Sequence, residues 1–592
     1  MNNIKLIISQ MNEINENNHN FDKIYLGNWC FKDKYLKTNE TVVNYHWDDR
    51  NKLRKDYVYL DKLYESILLN LKNILNKFHK KNYSLNFYRI ILGYWLHCYI
   101  SSTYDRWENI NKAIEQYPDI KSIDIYYDDK IIVSKNTREF MNLVSDEKWN
   151  QNLYYKILLF LKKNTNKNFK IESKLIDSDQ KYYKNYQINF KTKFFRKVLD
   201  LYSSIFSPFL KSNNYVLYKT YIGKYEELLI NIKLLQLPNF FPNTEIVSKI
   251  DLKLRKSLTL NTNNNNEFEK FINKNIFLNL PKEFLEDFEK IGEIIKSSKY
   301  PISPKKIFTT RTLSNDNIFI RYMAEKKEHY KTKIILGQHG GAYGHFSFLW
   351  AEDHEIRISD KFLTWGWQKD DNKNVIPFSY IKSVKYKNYN VKSKLKHCAY
   401  FLRSRGKFPH RLDSSTGSNQ MSKYYNNCLN FFKKLDKKNN YNKIYPRFHE
   451  AEFGWNHQYI WKNNLPGIKI KISSEEKIEK VFEKYDLLIF SYIATGFLEC
   501  LFINKPFILI SKLDECPLRD KVKLDFERLK NAKIFFENNE DALSHLNFLE
   551  NNLNNWWNSD LVKETRFDFV KKYVNRLSKH ERINKIYNIL KL

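Results

Sequence analysis

Residues 306–344 read KIFTTRTLSNDNIFIRYMAEKKEHYKTKIILGQHGGAYG. An apolar, β-branched run (306–310) leads into a segment of helical spacing (317–330). A second apolar run, KIIL, then stops abruptly at glycine. Strand, helix and strand at this spacing predict a βαβ unit and a parallel sheet. The pattern continues outward. KFLTWGW (361–367) closes one block. A second block runs through CAYFLRS (398–404), a helix near 420–435, KIYPRFH (443–449), IKIKI (468–472), a helix near 475–483, DLLIFSY (486–492), PFILIS (506–511) and KIFFEN (533–538). Two such blocks predict an α/β fold with two Rossmann-like domains.

The remainder reads mainly as helix. Segments 57–78 and 86–101 repeat apolar residues three and four apart, and 154–162 and 193–210 do so more weakly. Strand-like runs stand at 23–30, 123–127 and 131–133, and NTNNNN (261–266) reads as a loop. The expected organisation is an N-terminal Rossmann-like domain with helical insertions over 1–385, a C-terminal Rossmann-like domain over 386–540, and basic helices over 541–592.

Composition narrows the function classes. The 592 residues are 42% hydrophobic and 16% aromatic, which excludes a largely disordered chain. The six cysteines form no CxxC pair, so neither a zinc ribbon nor a disulfide framework is expected, and the reducing cytoplasm is the default. The apolar run 4–8 is too short for a signal peptide, and no stretch is long enough for a membrane span. The net charge of +33 raises nucleic acid or an anionic membrane as partners. Its lysines are dispersed, however, in a chain saturated with Lys, Asn, Ile and Tyr, which points to composition rather than to a nucleic-acid-binding arm.

Five of the 14 glycines fall between 337 and 366, four of them in GQHGGAYG. Glycine after a strand lets a ligand approach the main chain, and ligands of open α/β sheets bind beyond the carboxyl ends of strands. His339, at the tip of this turn, is placed to act as a general base or to bind phosphate, with Gly340, Gly341 and Tyr343 beside it. The pattern is neither a P-loop nor GxGxxG. In SYIATGFLE (491–499), Ser491, Thr495 and Gly496 lie between a strand and a helix N-terminus, an arrangement that binds anions. Glu499 either caps that helix or accepts hydrogen bonds from a ribose. YPRFHEAEFGW (445–455) offers Arg447 and His449 for a phosphate or carboxylate, with Glu452 near. NYHWDDR (44–50) and TYDRW (103–107) are dense polar clusters. Asp48 or Asp49 either caps the following helix or serves as a base in an acceptor pocket. DSD (177–179) is a weak metal–nucleotide motif.

Taken together, LGNWC (26–30), YHWDDR (45–50), RIILGYWL (89–96), YDRW (104–107), GQHGGAYG, ISDKFLTWGW (358–367) and SYIATGFLE resemble a family of transferases encoded in bacterial O-antigen and surface-polysaccharide clusters. Ala494 departs from that pattern, in which a Ser/Thr pair is more usual. The resemblance implies a GT-B-type glycosyltransferase whose two domains face a cleft, the N-terminal one on the acceptor side and the C-terminal lobe binding a nucleotide-sugar donor, and the 491–499 element is similar to that of enzymes using CMP-activated sugars. Such enzymes stabilise the leaving phosphate with cationic side chains and helix dipoles. The expected reaction is metal-independent and cofactor-free glycosyl transfer to a polysaccharide or lipid-linked acceptor. The expected location is the cytoplasm, with a peripheral contact to the anionic inner membrane and no nucleic-acid partner. A CDP-polyol phosphotransferase of the teichoic-acid polymerase type is the alternative enzyme, and a basic nucleic-acid-binding protein the alternative outside enzymes.

Overall fold

The computed structural model describes residues 4–13, 22–164, 169–175, 190–241, 246, 248–260, 266–382, 389–436 and 443–592. The DSD motif and residues 261–265 lie outside them. Three parallel sheets organise the chain. The C-terminal sheet has the strand order 471–472, 444–448, 398–401, 487–490, 507–510, 535–536. Its inner strands, CAYF, LLIF and FILI, are buried on both faces, as parallel strands covered by helices must be. The order runs outward from 398–401 in one direction and from 487–490 in the other, so the crossover direction reverses between these two strands. The middle sheet takes the order 375–377, 361–364, 333–337, 306–309, 215–218. These two sheets are the expected Rossmann-like pair.

The third sheet departs from expectation. Strands 41–42, 22–25, 4–7, 120–127 and 170–175 pair in parallel, so the strand-like runs at 23–30 and 123–127 belong to a sheet of their own where helical elaborations were expected, and residues 1–385 hold two sheets. Its central strand is IKLI, four residues at the very start of the chain. The run 131–133 is irregular rather than a strand.

Two long helices join this unit to the rest. Helix 50–79 starts at Asp49, whose carboxylate accepts from the backbone N–H of Asn51 and Lys52. Helix 85–116 starts at Ser84, whose hydroxyl accepts from Phe87 N–H. Helix 85–116 is buried around nearly its whole girth, because it packs against helices 50–79 and 147–164 on one side and 317–330 and 350–358 of the middle unit on the other.

The C-terminal basic region folds as helices 539–557, 560–573 and 579–591. The last returns to the middle unit, packing on helix 224–233, where Arg582 and Glu226 form a buried ion pair at 2.6 Å. Several of its cations are used internally. Arg566 lies 4.0 Å over the Trp557 ring, Lys572 pairs with Asp525 at 2.6 Å, and Lys585 donates to the Pro377 carbonyl. No helix among the described residues is long and apolar enough to cross a membrane.

Candidate functional site

The carboxyl ends of the middle and C-terminal strands open into one cavity of about 670 Å³, which helix 85–116 closes through Tyr94 and His97. The loops after strands 398–401 and 487–490 both line it, so it sits at the reversal point of the C-terminal sheet, where open α/β sheets bind ligands.

The glycine loop forms one wall. Strand 333–337 ends at Gly337, and Gln338 pins the loop in place. Its side chain accepts from the backbone N–H of Trp365 and from Trp367 Nε1 and donates to the Gly340 carbonyl. The TWGW motif is therefore the buttress of the loop. Gly344 adopts φ +76°, and a Cβ there would strike the Trp367 ring. Gly341 is held by the opposite lobe: its N–H donates to Thr495 Oγ1 at 3.0 Å, and a Cβ would come within 2.6 Å of the Ala494 and Thr495 backbone. Two motifs 154 residues apart thus touch, and only glycine permits the approach.

His339 is left at the tip, with 28% of its side chain exposed, in the cavity wall. Its Nδ1 lies 3.6 Å from Glu355 Oε2, and the Tyr343 hydroxyl lies 3.3–3.4 Å from the ring nitrogens. Burial, reinforced by Arg411 and Arg311, pushes the imidazole down to about 4, so it is neutral at physiological pH. Glu355 is almost fully buried and is pushed up to about 8 by that burial, against the hydroxyls of Tyr94 and Tyr343.

The facing wall is cationic. Arg403 donates to Thr416 Oγ1 and Ser415 Oγ, and Arg405 pairs with Asp413. Burial alone would raise the Asp413 carboxyl, but Arg405, Arg403 and Arg411 hold it well below the usual carboxylate range. Burial, together with Arg405 beside it, lowers Arg403 to about 10. Arg311 and Arg411 also line the cavity and are exposed. Helix 495–503 adds its N-terminus: its N-cap is Ala494, which has no side chain to bond the first-turn N–H groups. The departure at 494 therefore leaves these donors without a side-chain acceptor at the cavity wall.

Of the residues singled out from the sequence, His339, Gly340, Gly341, Tyr343, His449 and Thr495 line this cavity. Ser491 lines a small adjoining pocket of about 40 Å³ and donates to the Phe401 carbonyl at 2.8 Å. The others stand elsewhere. Arg447 spends its guanidinium on the carbonyls of Ser473 and Glu476. Glu452 accepts from Gln458 N–H, in the first turn of helix 457–464. Gly496 is small because the Phe490 ring occupies the space a Cβ would need. Glu499 does not face a ribose site: it is buried, and its Oε1 accepts from Tyr380 and Lys382.

Asp48 and Asp49 are not in the cavity either. Asp49 caps helix 50–79, and Asp48 makes an exposed ion pair with Lys423. The expected acceptor pocket around them is instead a closed clasp. Asp105 accepts from Tyr45 at 2.6 Å and pairs with Arg106 at 3.2 Å, and Arg106, wholly buried, also reaches Asn150 and the carbonyls of Val144 and Pro409. Arg50 donates to the Ser414 and Glu515 carbonyls, tying the N-terminal unit to the C-terminal one.

Sequence reading passed over Glu355, Tyr94, Arg311 and the RSRGKFPHRLD segment (403–413). Three arginines in nine residues directly after a strand was the signal available for the last of these. Nothing marked Glu355, which sits mid-helix in WAEDHEIRI.

Among the described residues no group of three or more His, Cys, Asp or Glu is arranged to hold a metal ion. No curated protein matches the sequence. Among solved structures, a Thermobaculum terrenum O-GlcNAc transferase mutant aligns over 85% of this chain and 90% of its own, at 9% identity and a TM-score of 0.32. A sequence profile of the LIC12162 family transferases matches residues 5–585, nearly the whole chain, and the protein belongs to that family of enzymes.

Proposed function

We propose that the enzyme transfers a sugar from a nucleotide-activated donor, without a metal, to a polysaccharide or lipid-linked acceptor. One observation carries this reading. Arg311, Arg403, Arg405 and Arg411 converge with a helix N-terminus lacking a side-chain cap on a cavity that also holds a neutral histidine. Asp413 offsets one of these charges, and the remaining cations match a diphosphate or phosphodiester, which arginine binds in bidentate fashion. As the bond from the anomeric carbon to the phosphate oxygen breaks, its electron pair moves onto the leaving nucleotide, where the arginines and the helix dipole stabilise it. His339 accepts the proton of the acceptor hydroxyl as the new glycosidic bond forms. A CMP-sugar is the donor we favour, from the resemblance of the 491–499 element.

The acceptor also motivates the peripheral membrane contact. Exposed Lys563 and Lys571 stand near exposed Leu561 and Phe567 on helix 560–573. That arrangement suits weak binding to anionic vesicles, reversed by salt.

Thermal denaturation in excess EDTA with CMP, CDP, UDP or GDP tests the donor site. A nucleotide at 100 times its Kd should stabilise the protein by about 2.7 kcal/mol. Stabilisation by no nucleotide, or only after Mg²⁺ or Mn²⁺ is restored, would overturn the reading. Transfer of label from the phosphate rather than from the sugar would identify polyol-phosphate chemistry instead.

A further inference from the structure

Resting on the reading of His339 as base, we propose that Glu355 is its positioning residue, fixing Nδ1 as the protonated nitrogen so that Nε2 presents its lone pair to the acceptor hydroxyl. The geometry is particular. Glu355 lies on helix 350–358, with its carboxyl in the cavity wall and only 1% of the residue exposed. Oε1 accepts from the Tyr94 hydroxyl at 2.5 Å, which anchors the group to helix 85–116. Oε2 makes no well-formed hydrogen bond; the Tyr343 hydroxyl faces the carboxyl, and His339 Nδ1 lies 3.6 Å from Oε2.

A buried carboxyl oxygen left open is costly unless something uses it. The group within reach that gains a proton in the reaction is His339. When its Nε2 takes the acceptor proton, the imidazolium formed is stabilised by Glu355 across Nδ1–H, and a modest closing of the 3.6 Å gap would complete that bond. The same contact decides the tautomer. If Glu355 is protonated and donates to Nδ1, Nε2, which lies 3.3 Å from the Tyr343 hydroxyl, carries hydrogen and cannot act as a base. If Glu355 is ionised, Nδ1 carries the hydrogen and Nε2 is free. The groups facing this pair are Tyr94 from helix 85–116, Tyr343 from the glycine loop, Glu352 from its own helix, Arg311 from the loop after the adjacent strand 306–309, and Arg411 from the loop after strand 398–401. Burial sets the carboxyl near 8, so the base form appears as pH rises through that value.

Carbethoxylation of His339 by diethylpyrocarbonate, followed by peptide mass spectrometry from pH 5 to 10, reads the Nε2 lone pair without any sugar donor. Wild-type reactivity should climb through about pH 8. Glu355→Gln should lose that limb, and Glu355→Asp should keep it in part. In turnover, Glu355→Gln should lower kcat by about 10²-fold with the donor KM within threefold. An unchanged labelling limb in Glu355→Gln, or a raised KM at unchanged kcat, overturns the proposal. Should Glu355→Gln fail to fold, Tyr94→Phe removes a donor to the ionised carboxylate and should move the limb to higher pH; an unmoved limb again overturns the proposal. If no nucleotide sugar is turned over, the glycosyl-transfer reading fails, while the labelling still judges the pair.

Discussion

The glycine loop at 337–344 and the clasp at 45–50 with 104–107 look alike as sequence. Each is a short motif centred on a histidine, and each joins parts of the chain far apart. Their polar groups end differently. In the clasp Asp105 and Arg106 find their partners inside the protein, although His46 Nδ1 and Arg50 Nε are left without one. Asp105 is met by Tyr45, His46, Arg106 and Asn109, and Arg106 by Asn150 and two carbonyls. In the cavity bordered by the glycine loop, Arg403, Arg405 and Arg411 share the Asp413 carboxylate, Arg311 stands exposed, a helix N-terminus lacks a side-chain cap, and Glu355 Oε2 makes no well-formed hydrogen bond. Polar density does not mark a site; cations and an uncapped helix end converging on one cavity do.

The sharpest way to break this comparison is to remove one histidine's chemistry without its packing. His339→Ala should lower turnover by about 10²–10⁴-fold, as removal of the proposed general base would. Its unfolding free energy should move by less than about 1 kcal/mol, because the ring is partly exposed and makes no normal-length hydrogen bond. Steady-state kinetics beside urea denaturation separates the two. A stability loss matching the activity loss would make the loop another clasp.

The converse belongs to Arg106. Truncation to Ala leaves Asp105 buried and its pair broken, which should cost about 3–5 kcal/mol. Any activity loss should follow the unfolded fraction and disappear at low temperature or in a stabilising osmolyte. A folded Arg106→Ala protein with reduced kcat would place the clasp in the chemistry.

Next in size are the exposed cleft arginines. Arg411→Ala and Arg311→Ala should each raise the donor KM by roughly 10-fold through loss of a charge-assisted contact worth about 1.5 kcal/mol, and both should weaken the salt dependence of donor binding. Each also removes a cation that holds the imidazole down, so the pKa of His339 should rise in both variants. A His339 imidazole titration, followed by NMR, that does not move in either variant would separate the arginines from the histidine.

Much of this was legible in the chain, and what was missed has physical reasons. The C-terminal sheet announced itself because strands buried on both faces are continuous apolar runs, as in LLIF and FILI. The N-terminal sheet did not, because its edge strands, 41–42 and 170–175, are short or polar and its central strand is only IKLI. The glycine loop was readable because glycines are scarce here and four cluster after a strand. Glu499 was misread because its neighbours in space, Tyr380 and Lys382, lie more than 100 residues away. Glu355 was invisible for the same reason: a glutamate in a helix is ordinary until Tyr94 and His339 are brought against it.

The smallest effect expected is also a clean control. Asp49 closes two backbone N–H groups at the start of helix 50–79, at 2.9 and 3.0 Å, and touches nothing in the cavity. Asp49→Ala should therefore cost about 1 kcal/mol of stability, as loss of an N-cap does, with turnover unchanged. Asp48→Ala loses only an exposed pair with Lys423 and should shift stability by less than about 1 kcal/mol. Asp49→Ser should restore most of the Ala loss, because serine caps nearly as well, whereas a catalytic carboxylate would not be rescued by a hydroxyl. If either aspartate variant loses turnover while remaining folded, and serine fails to restore it, the acceptor reaches helix 50–79 and the line drawn between clasp and cleft is in the wrong place.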